Sequence, residues 1–177
     1  MSSVENKTFN LMGVTTKRTT IEKLKREHFD SLIEMYLEPD SNKFVTPLKN
    51  RDKDFFLNFL EKKMSANEKE IGFWTVKEKC SDQIIGTVNL NLFERLNLVH
   101  VGCHLKRDYW NLGFGKELFS RMIHHGIQER KLSEIHGIIE MENQVSKRLL
   151  LGLGFTFVRK DILDNTPIEI YKYTSSI

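Results

Sequence analysis

Leu105-Lys-Arg-Asp-Tyr109-Trp110-Asn-Leu-Gly113-Phe-Gly115-Lys116 is the stretch on which the reading of this chain turns. Leu98–Leu105 in front of it is strand-like, and behind it Phe114, Leu118 and Met122 form one apolar stripe with Phe119, Ile123 and Ile127 beside it. Spacing of that kind predicts an amphipathic helix. A strand therefore ends, a short glycine-bearing loop follows, and a long helix begins. The first turn of a helix presents backbone N–H groups without intrahelical partners, and these draw anions, phosphate above all. Lys106, Arg107 and Lys116 add positive charge nearby. Two better-known phosphate patterns fail. A P-loop needs Ser or Thr after the lysine, where Glu117 stands, and a dinucleotide GxGxxG needs glycine at Leu118. The same glycines equally permit a tight strand-to-helix turn that holds nothing.

Working outward, Lys17–Leu24 reads as a first strand, and Phe29, Leu32, Ile33 and Tyr36 mark a helix. Pro39 and Pro47 break it into the loop Glu38–Asn50, after which Phe56, Phe59, Leu60 and Met64 fit a second helix. Phe73–Lys79 is strand-like. Ile84, Gly86, Val88, Leu90 and Leu92 alternate with Thr87, Asn89 and Asn91, which predicts a strand with one apolar face. Beyond the long helix come a strand at Ile135–Glu140, a short helix at Asn143–Leu153 ended by Gly154, and closing strands at Phe155–Lys160 and Ile168–Tyr173. The order β-α-α-β-β-β-α-β-α-β-β implies an α/β (α+β) fold with a mixed, largely antiparallel sheet and helices on both faces.

The chain has 177 residues, 40% of them hydrophobic, enough for one core and one domain. Residues 1–16 are expected to be a flexible tail and 17–177 a single domain. Lys and Arg total 27 against 24 Asp and Glu, a net charge of +3. That suits an anionic small molecule better than a nucleic acid. Cys80 and Cys103 are too few for a disulfide framework or a zinc quartet. No metal site is expected: His124 and His125 would point about 100° apart on a helix and read as surface residues. The polar first 16 residues lack a signal-peptide core, and no run of ~20 apolar residues spans a membrane, which points to a cytoplasmic protein. Monomer and homodimer both stay open.

Tyr109-Trp110-Asn-Leu-Gly113-Phe-Gly115-Lys116 resembles the pyrophosphate loop, Q/R-x-x-G-x-G/A, of the GNAT superfamily of N-acetyltransferases, in the form used by its RimJ/RimL-like, ribosomal-protein branch. Glu142-Asn143-Gln-Val-Ser146-Lys-Arg148-Leu-Leu-Leu-Gly-Leu-Gly154-Phe155 resembles that branch's E-N-x-x-S-x-R-x-L-x-x-x-G-F, and Ile84–Val88 its xxIGxxxL strand. The similarity spans about Lys17 to Tyr173. It implies acetyl-CoA as cosubstrate and a splay between the fourth and fifth strands, Leu98–Leu105 and Ile135–Glu140. Backbone groups of Cys103, His104 and Leu105 would then meet the pantetheine arm. Trp110 and the amides of Asn111, Leu112, Gly113, Phe114, Gly115 and Lys116 would hold the pyrophosphate, with Asn143 and Ser146 across the split.

For catalysis, the resemblance places His100 where the branch commonly carries a glutamate, as a base with an ordinary pKa near 6.5. His104 is the second choice. Ser146 is the candidate donor to the departing thiolate, because the tyrosine used by many relatives is Leu150 here. An ordinary first-turn hydroxyl is the other reading of Ser146. The acceptor amine would enter by Glu38–Asn50 and Asp161–Pro167, with Glu38, Asp40, Phe44 and Asp164 as contacts and the acids attracting its charge. A protein N-terminal α-amine is favoured by the branch. The alternatives are a small-molecule amine (polyamine or antibiotic) and a non-catalytic acyl-CoA-binding sensor.

Overall fold

Alternation of apolar and polar residues builds the sheet. In the computed structural model, which describes residues 14–66 and 72–175, β4 (Ile84–Phe93) turns Val88 and Leu90 to one core and Thr87, Asn89 and Asn91 to the opposite face. Its antiparallel neighbours are β3 (Gly72–Glu78) and β5 (Leu98–Leu105). With β1 (Val14–Thr15), β2 (Thr19–Lys23), β6 (Glu134–Glu140), β7 (Thr156–Leu163) and β8 (Thr166–Thr174) they form one eight-stranded sheet, ordered β1-β2-β3-β4-β5-β6-β8-β7. Every neighbouring pair is antiparallel except β5 and β6.

Helices α1 (Phe29–Leu37) and α2 (Lys53–Ala66) cover one face through a cluster of Leu32, Met35, Phe56 and Leu60. On the other face α3 (Phe114–His124) and α4 (Gln144–Gly152) bury Leu118, Met122 and Leu150 against Val88, Leu90 and Ile135. This is the mixed α/β architecture that the element order implies.

β5 and β6 run parallel but meet at a single register position, His100 opposite His136. Beyond it the strands part. At Gly137 α4 sits close to β6: a Cβ there would fall 2.6 Å from the Leu150 side chain, which would have to shift. The splay expected between the fourth and fifth strands is therefore present, at β5 and β6 once β1 is counted.

Several local expectations change. Residues 1–13 of the expected tail lie outside the described residues, but Val14–Thr15 pairs with Ile21 and Thr20 and belongs to the sheet. The segment Asp161–Pro167 is no loop. Asp161 and Pro167 lie on paired strands, and only Asp164 and Asn165, both with positive φ, make the turn. Two adjacent left-handed residues match the twist of a tight hairpin. His125 is buried in a wider π turn, His125–Glu129, where its Nδ1 meets Glu129 at 2.6 Å; only His124 is exposed. His28 is likewise buried, 2.8 Å from Thr75 Oγ1.

Candidate active site

The split between β5 and β6 opens into a cleft of about 440 Å³. Its walls come from β5, the glycine loop, α4 and the α1–α2 loop. Of the residues expected at the site, it brings together Asp40, Phe44, Cys103, His104, Leu105, Trp110, Asn111, Gly113, Phe114, Gly115, Asn143 and Ser146. It leaves out His100, Glu38, Leu112, Lys116 and Asp164.

The β5 wall is set by strand alternation. Lys106 N–H donates to Ile85 O at 2.8 Å, and His104 pairs with Thr87 in the same ladder. Residues facing β4 through their backbone thus alternate with residues facing the split, so Cys103 and Leu105 turn their N–H and C=O into it. His104 differs from expectation: its backbone serves the ladder, and its side chain lines the cleft. The indole of Trp110 takes the Leu105 carbonyl at 2.7 Å. This leaves the Cys103 N–H and C=O and the Leu105 N–H open toward the gap. Burial pushes the Cys103 thiol up to about 12, so it stays protonated and unreactive.

The glycine loop ends at Gly113, whose φ of +84° suits glycine and strains any residue with a Cβ. Gly113 O receives the first helical N–H, from Glu117. Among the described residues nothing accepts the N–H groups of Asn111, Leu112, Gly113, Phe114, Gly115 or Lys116. Arg18 holds this turn from outside. Its Nε donates to Glu117 Oε2 at 2.8 Å, its Nη1 to Leu112 O at 2.9 Å, and its guanidinium lies 3.9 Å from the centre of the Phe114 ring. The Arg18 backbone N–H and the Thr16 hydroxyl also donate to Glu117. These bonds hold its carboxyl below the ordinary range against the opposing effect of desolvation. Sequence reasoning missed this staple, because nothing in a lone arginine near the start of the chain signals contact with a helix about a hundred residues on.

Across the gap, the Asn143 side chain caps α4 by accepting the Ser146 N–H at 3.0 Å. The Ser146 hydroxyl has no partner among the described residues and lines the cleft. Leu150, at the position of the missing tyrosine, is core. Lys147 is engaged by Glu169 at 2.9 Å.

The two histidines of β5 have different fates. His100 lies outside the cleft lining: its ring packs edge-on to Phe93, 5.5 Å between centres, with Asn89 Nδ2 and Asn91 O each 3.2 Å from its nitrogens. Burial lowers its pKa to about 4. His104 Nε2 shares a 2.9 Å hydrogen bond with the Ser41 hydroxyl, and its ring meets Tyr36 edge-on at 4.8 Å. Burial lowers His104 to about 4 as well, so it is neutral at physiological pH.

Ser41 reaches His104 because the α1–α2 loop is strapped to β6. Glu140 accepts the Thr46 N–H at 2.5 Å and the Thr46 hydroxyl at 2.6 Å, and Lys49 Nζ lies 3.3 Å from its other oxygen. Glu140 was not foreseen: on a strand of alternating residues it reads as a solvated edge. The acids expected to attract an amine are mostly occupied. Glu38 accepts the Arg107 N–H at 2.8 Å, Asp164 is held by Arg95 at 2.8 Å, and Asp161 pairs with Arg159 at 3.2 Å. Asp40 alone lines the cleft.

Residues 18–156 match the model of the acetyltransferase (GNAT) domain. The chain belongs to the GNAT acetyltransferase family. It is 31% identical over 147 residues to the uncharacterized N-acetyltransferase p20 of Bacillus licheniformis, covering 79% of this chain and 80% of that protein. Its fold is similar to that of a GNAT-family acetyltransferase from Bacillus anthracis, with a TM-score of 0.78, 19% identity, and 90% and 96% of the two chains covered. RimL, a ribosomal L7/L12 α-N-protein acetyltransferase solved with coenzyme A, gives a TM-score of 0.74 at 12% identity, over 90% and 95%. This acetyltransferase is thus an N-acetyltransferase of a fold that uses acetyl-CoA. Its residues fit that donor: a row of unclaimed amides at a helix start, glycine where a side chain would be strained, and open strand-edge groups along the gap. No group of three or more His, Cys, Asp or Glu among the described residues could hold a metal ion.

Proposed function

We propose that the acetyltransferase acetylates a primary amine that arrives uncharged, a protein N-terminal α-amine, and that His104 rather than His100 receives the proton. The observation that carries this is the His104 imidazole, neutral, on the cleft wall and bonded to Ser41, in a cleft lined by Asp40 alone of the acids expected there. Acetyl-CoA supplies an activated thioester carbonyl. The amides of Asn111–Lys116 are placed to bind the diphosphate, and the N–H of Cys103, open toward the gap, suits the oxyanion that forms during transfer.

Basicity selects the acceptor. An imidazole with a pKa of about 4 cannot strip an ammonium: from a lysine-like amine the transfer is uphill by roughly 9 kcal/mol. The amine must therefore enter neutral, and His104 takes the proton released as the N–C bond forms. At pH 7 roughly one α-amine in ten is neutral, against a few in ten thousand for a lysine-like amine or a polyamine. Both the site and the branch resemblance thus favour the α-amine. The Ser146 hydroxyl, free on the opposite wall, is the proton donor to the leaving thiolate.

Thiol release from acetyl-CoA at pH 7, with a short peptide whose only amine is its N-terminus, tests the reading and separates an enzyme from a sensor. His104→Gln is expected to lower kcat by about 100-fold, the low end for a proton-transfer group, with the Kd for acetyl-CoA unchanged. Full turnover by His104→Gln removes His104 from the chemistry. Faster turnover of spermidine than of the peptide overturns the α-amine assignment.

A further inference from the structure

The acids proposed by sequence to draw in a cation are largely spent within the protein, and the charge left free around the acceptor's entry has the opposite sign. A second cavity of about 400 Å³ lies beneath the α1–α2 loop, between the end of α1 and Arg51. Lys43, Lys49 and Arg51 line it. Neither Lys43 nor Arg51 has a carboxylate partner among the described residues; Lys43 lies over the Phe44 ring at 5.4 Å and Arg51 over Phe55 at 4.7 Å, its Nε donating to Pro47 O at 3.2 Å. Two acids share the lining, Glu38 and Asp40, and Glu38 is already bonded to the Arg107 N–H.

This cavity is continuous in its lining with the reaction cleft, because Asp40 and Lys43 belong to both. The path thus carries Asp40 at the junction and, beyond it, Lys43 and Arg51 without carboxylate partners among the described residues, Lys49 paired with Glu140, and Glu38 bonded to the Arg107 N–H. Past Asp40 the second charge of a polyamine would meet the unpaired cations Lys43 and Arg51. A molecule with an amine at one end and an anion a short distance along matches both ends of the path.

We propose that the cavity beneath the α1–α2 loop is a second acceptor subsite that takes a carboxylate or phosphate carried by the amine substrate, through Lys43 and Arg51. The proposal rests on the acetyltransferase reading, with the amine presented past this loop. Asp40, at the junction, is placed to accept a hydrogen bond from the neutral amine. Lys43 and Arg51 hold the anion, Arg51 with a planar fork that can grip two oxygens at once. The subsite thereby sets which α-amine is used.

Tripeptide amides with one free α-amine and equal length provide the test: Gly-Asp-Asp and Gly-phosphoserine-Asn as the two anion sources, Gly-Asn-Asn as the neutral control. Thiol release is measured for each at low ionic strength. The expected result is a KM about tenfold lower for at least one anionic peptide than for the neutral one, with the better anion identifying its source. Arg51→Glu, with Lys43→Glu as the second variant, is expected to abolish that preference while the Kd for acetyl-CoA, measured on the same sample, reports an intact fold. Equal KM values for all the peptides, or a preference that survives both variants, overturns the subsite. Release of no thiol with any amine instead overturns the acceptor reading on which it rests.

Discussion

His100 and His104 stand on one face of β5, four residues apart, and the same physical quantity separates their roles from their appearance in sequence. Both are neutral because burial penalises the imidazolium, with pKa values of about 4. An unfolded histidine titrates near 6.5. Between these values the unfolded chain binds more protons than the folded one, so stability rises with pH and is lost as pH falls from 6.5 toward 4. For each ring the loss approaches about 3 kcal/mol at the acid end of that window. His28 and His125 shift in the same direction, chiefly through desolvation. Urea unfolding measured from pH 7 to pH 4 is expected to show this steep decline, and His100→Asn to flatten it, since asparagine has no proton to gain. An acid limb of undiminished slope in His100→Asn assigns the decline to other groups. Sequence could place His100 at a family position but not see its surroundings: Phe93, Asn89 and Asn91 close around the ring only once β4 and β5 pair.

At the scale of the element, the glycine loop and α3 behave as one unit. The loop delivers a helix start whose amides are unclaimed, and Arg18 from the β1–β2 turn fixes it by holding Glu117 and the Leu112 carbonyl. The partial positive charge of a helix start is confined to its first turn, so its position decides what it binds. Gly113→Ala forces a Cβ into left-handed geometry at a strain of roughly 1–2 kcal/mol. The space around it is open, the nearest atom being Arg18 Nη2 at 3.5 Å, so the strain falls on the backbone rather than on packing. The expected outcome is a Tm lower by several degrees and acetyl-CoA bound about tenfold more weakly, measured by calorimetry; unaltered affinity would show that the loop amides are not the cradle. This unit was legible because its signal is local: strand end, glycines and helical stripe are adjacent in the chain. The closing hairpin was less so. Asp164-Asn165 is itself a good signature for a tight turn. The hairpin's strands run further than Phe155–Lys160 and Ile168–Tyr173: Pro167 pairs with Ile162 near the start of β8, where a proline is tolerated. The strap between Thr46 and Glu140 was invisible for a different reason: it joins positions 94 residues apart through one carboxylate, and no periodicity records such a contact.

At the scale of the whole molecule, the sheet is continuous on either side of a flaw. β1 to β5 form one antiparallel block, β6, β8 and β7 another, and they meet through one pair of residues, His100 and His136. The core on the α3 side bridges both blocks, with Leu90, Val101, Ile135 and Leu150 in one cluster, so the blocks are held together by packing where hydrogen bonds are missing. The alternating strands predicted both blocks. The resemblance alone predicted the gap, since residues of β5 and β6 alternate as they would in a closed sheet. A gap of this kind leaves the Cys103 and Leu105 amides without strand partners, and an acyl-CoA lying in it would complete the sheet. Binding a folded-state ligand at 100 times its Kd contributes about 2.7 kcal/mol. For a chain of this size that corresponds to a rise in Tm of about 5–10 °C. Amide hydrogen exchange gives the sharper measurement. Acetyl-CoA is expected to slow exchange at Cys103, at Leu105 and along Asn111–Lys116, while the amide of His104, already within the β4 ladder, changes little. A rise in Tm with protection confined to the glycine loop would mean that the diphosphate binds while the gap stays open. Protection at Cys103 and Leu105 would show the pantetheine arm taking the place of the strand contact that β6 does not make.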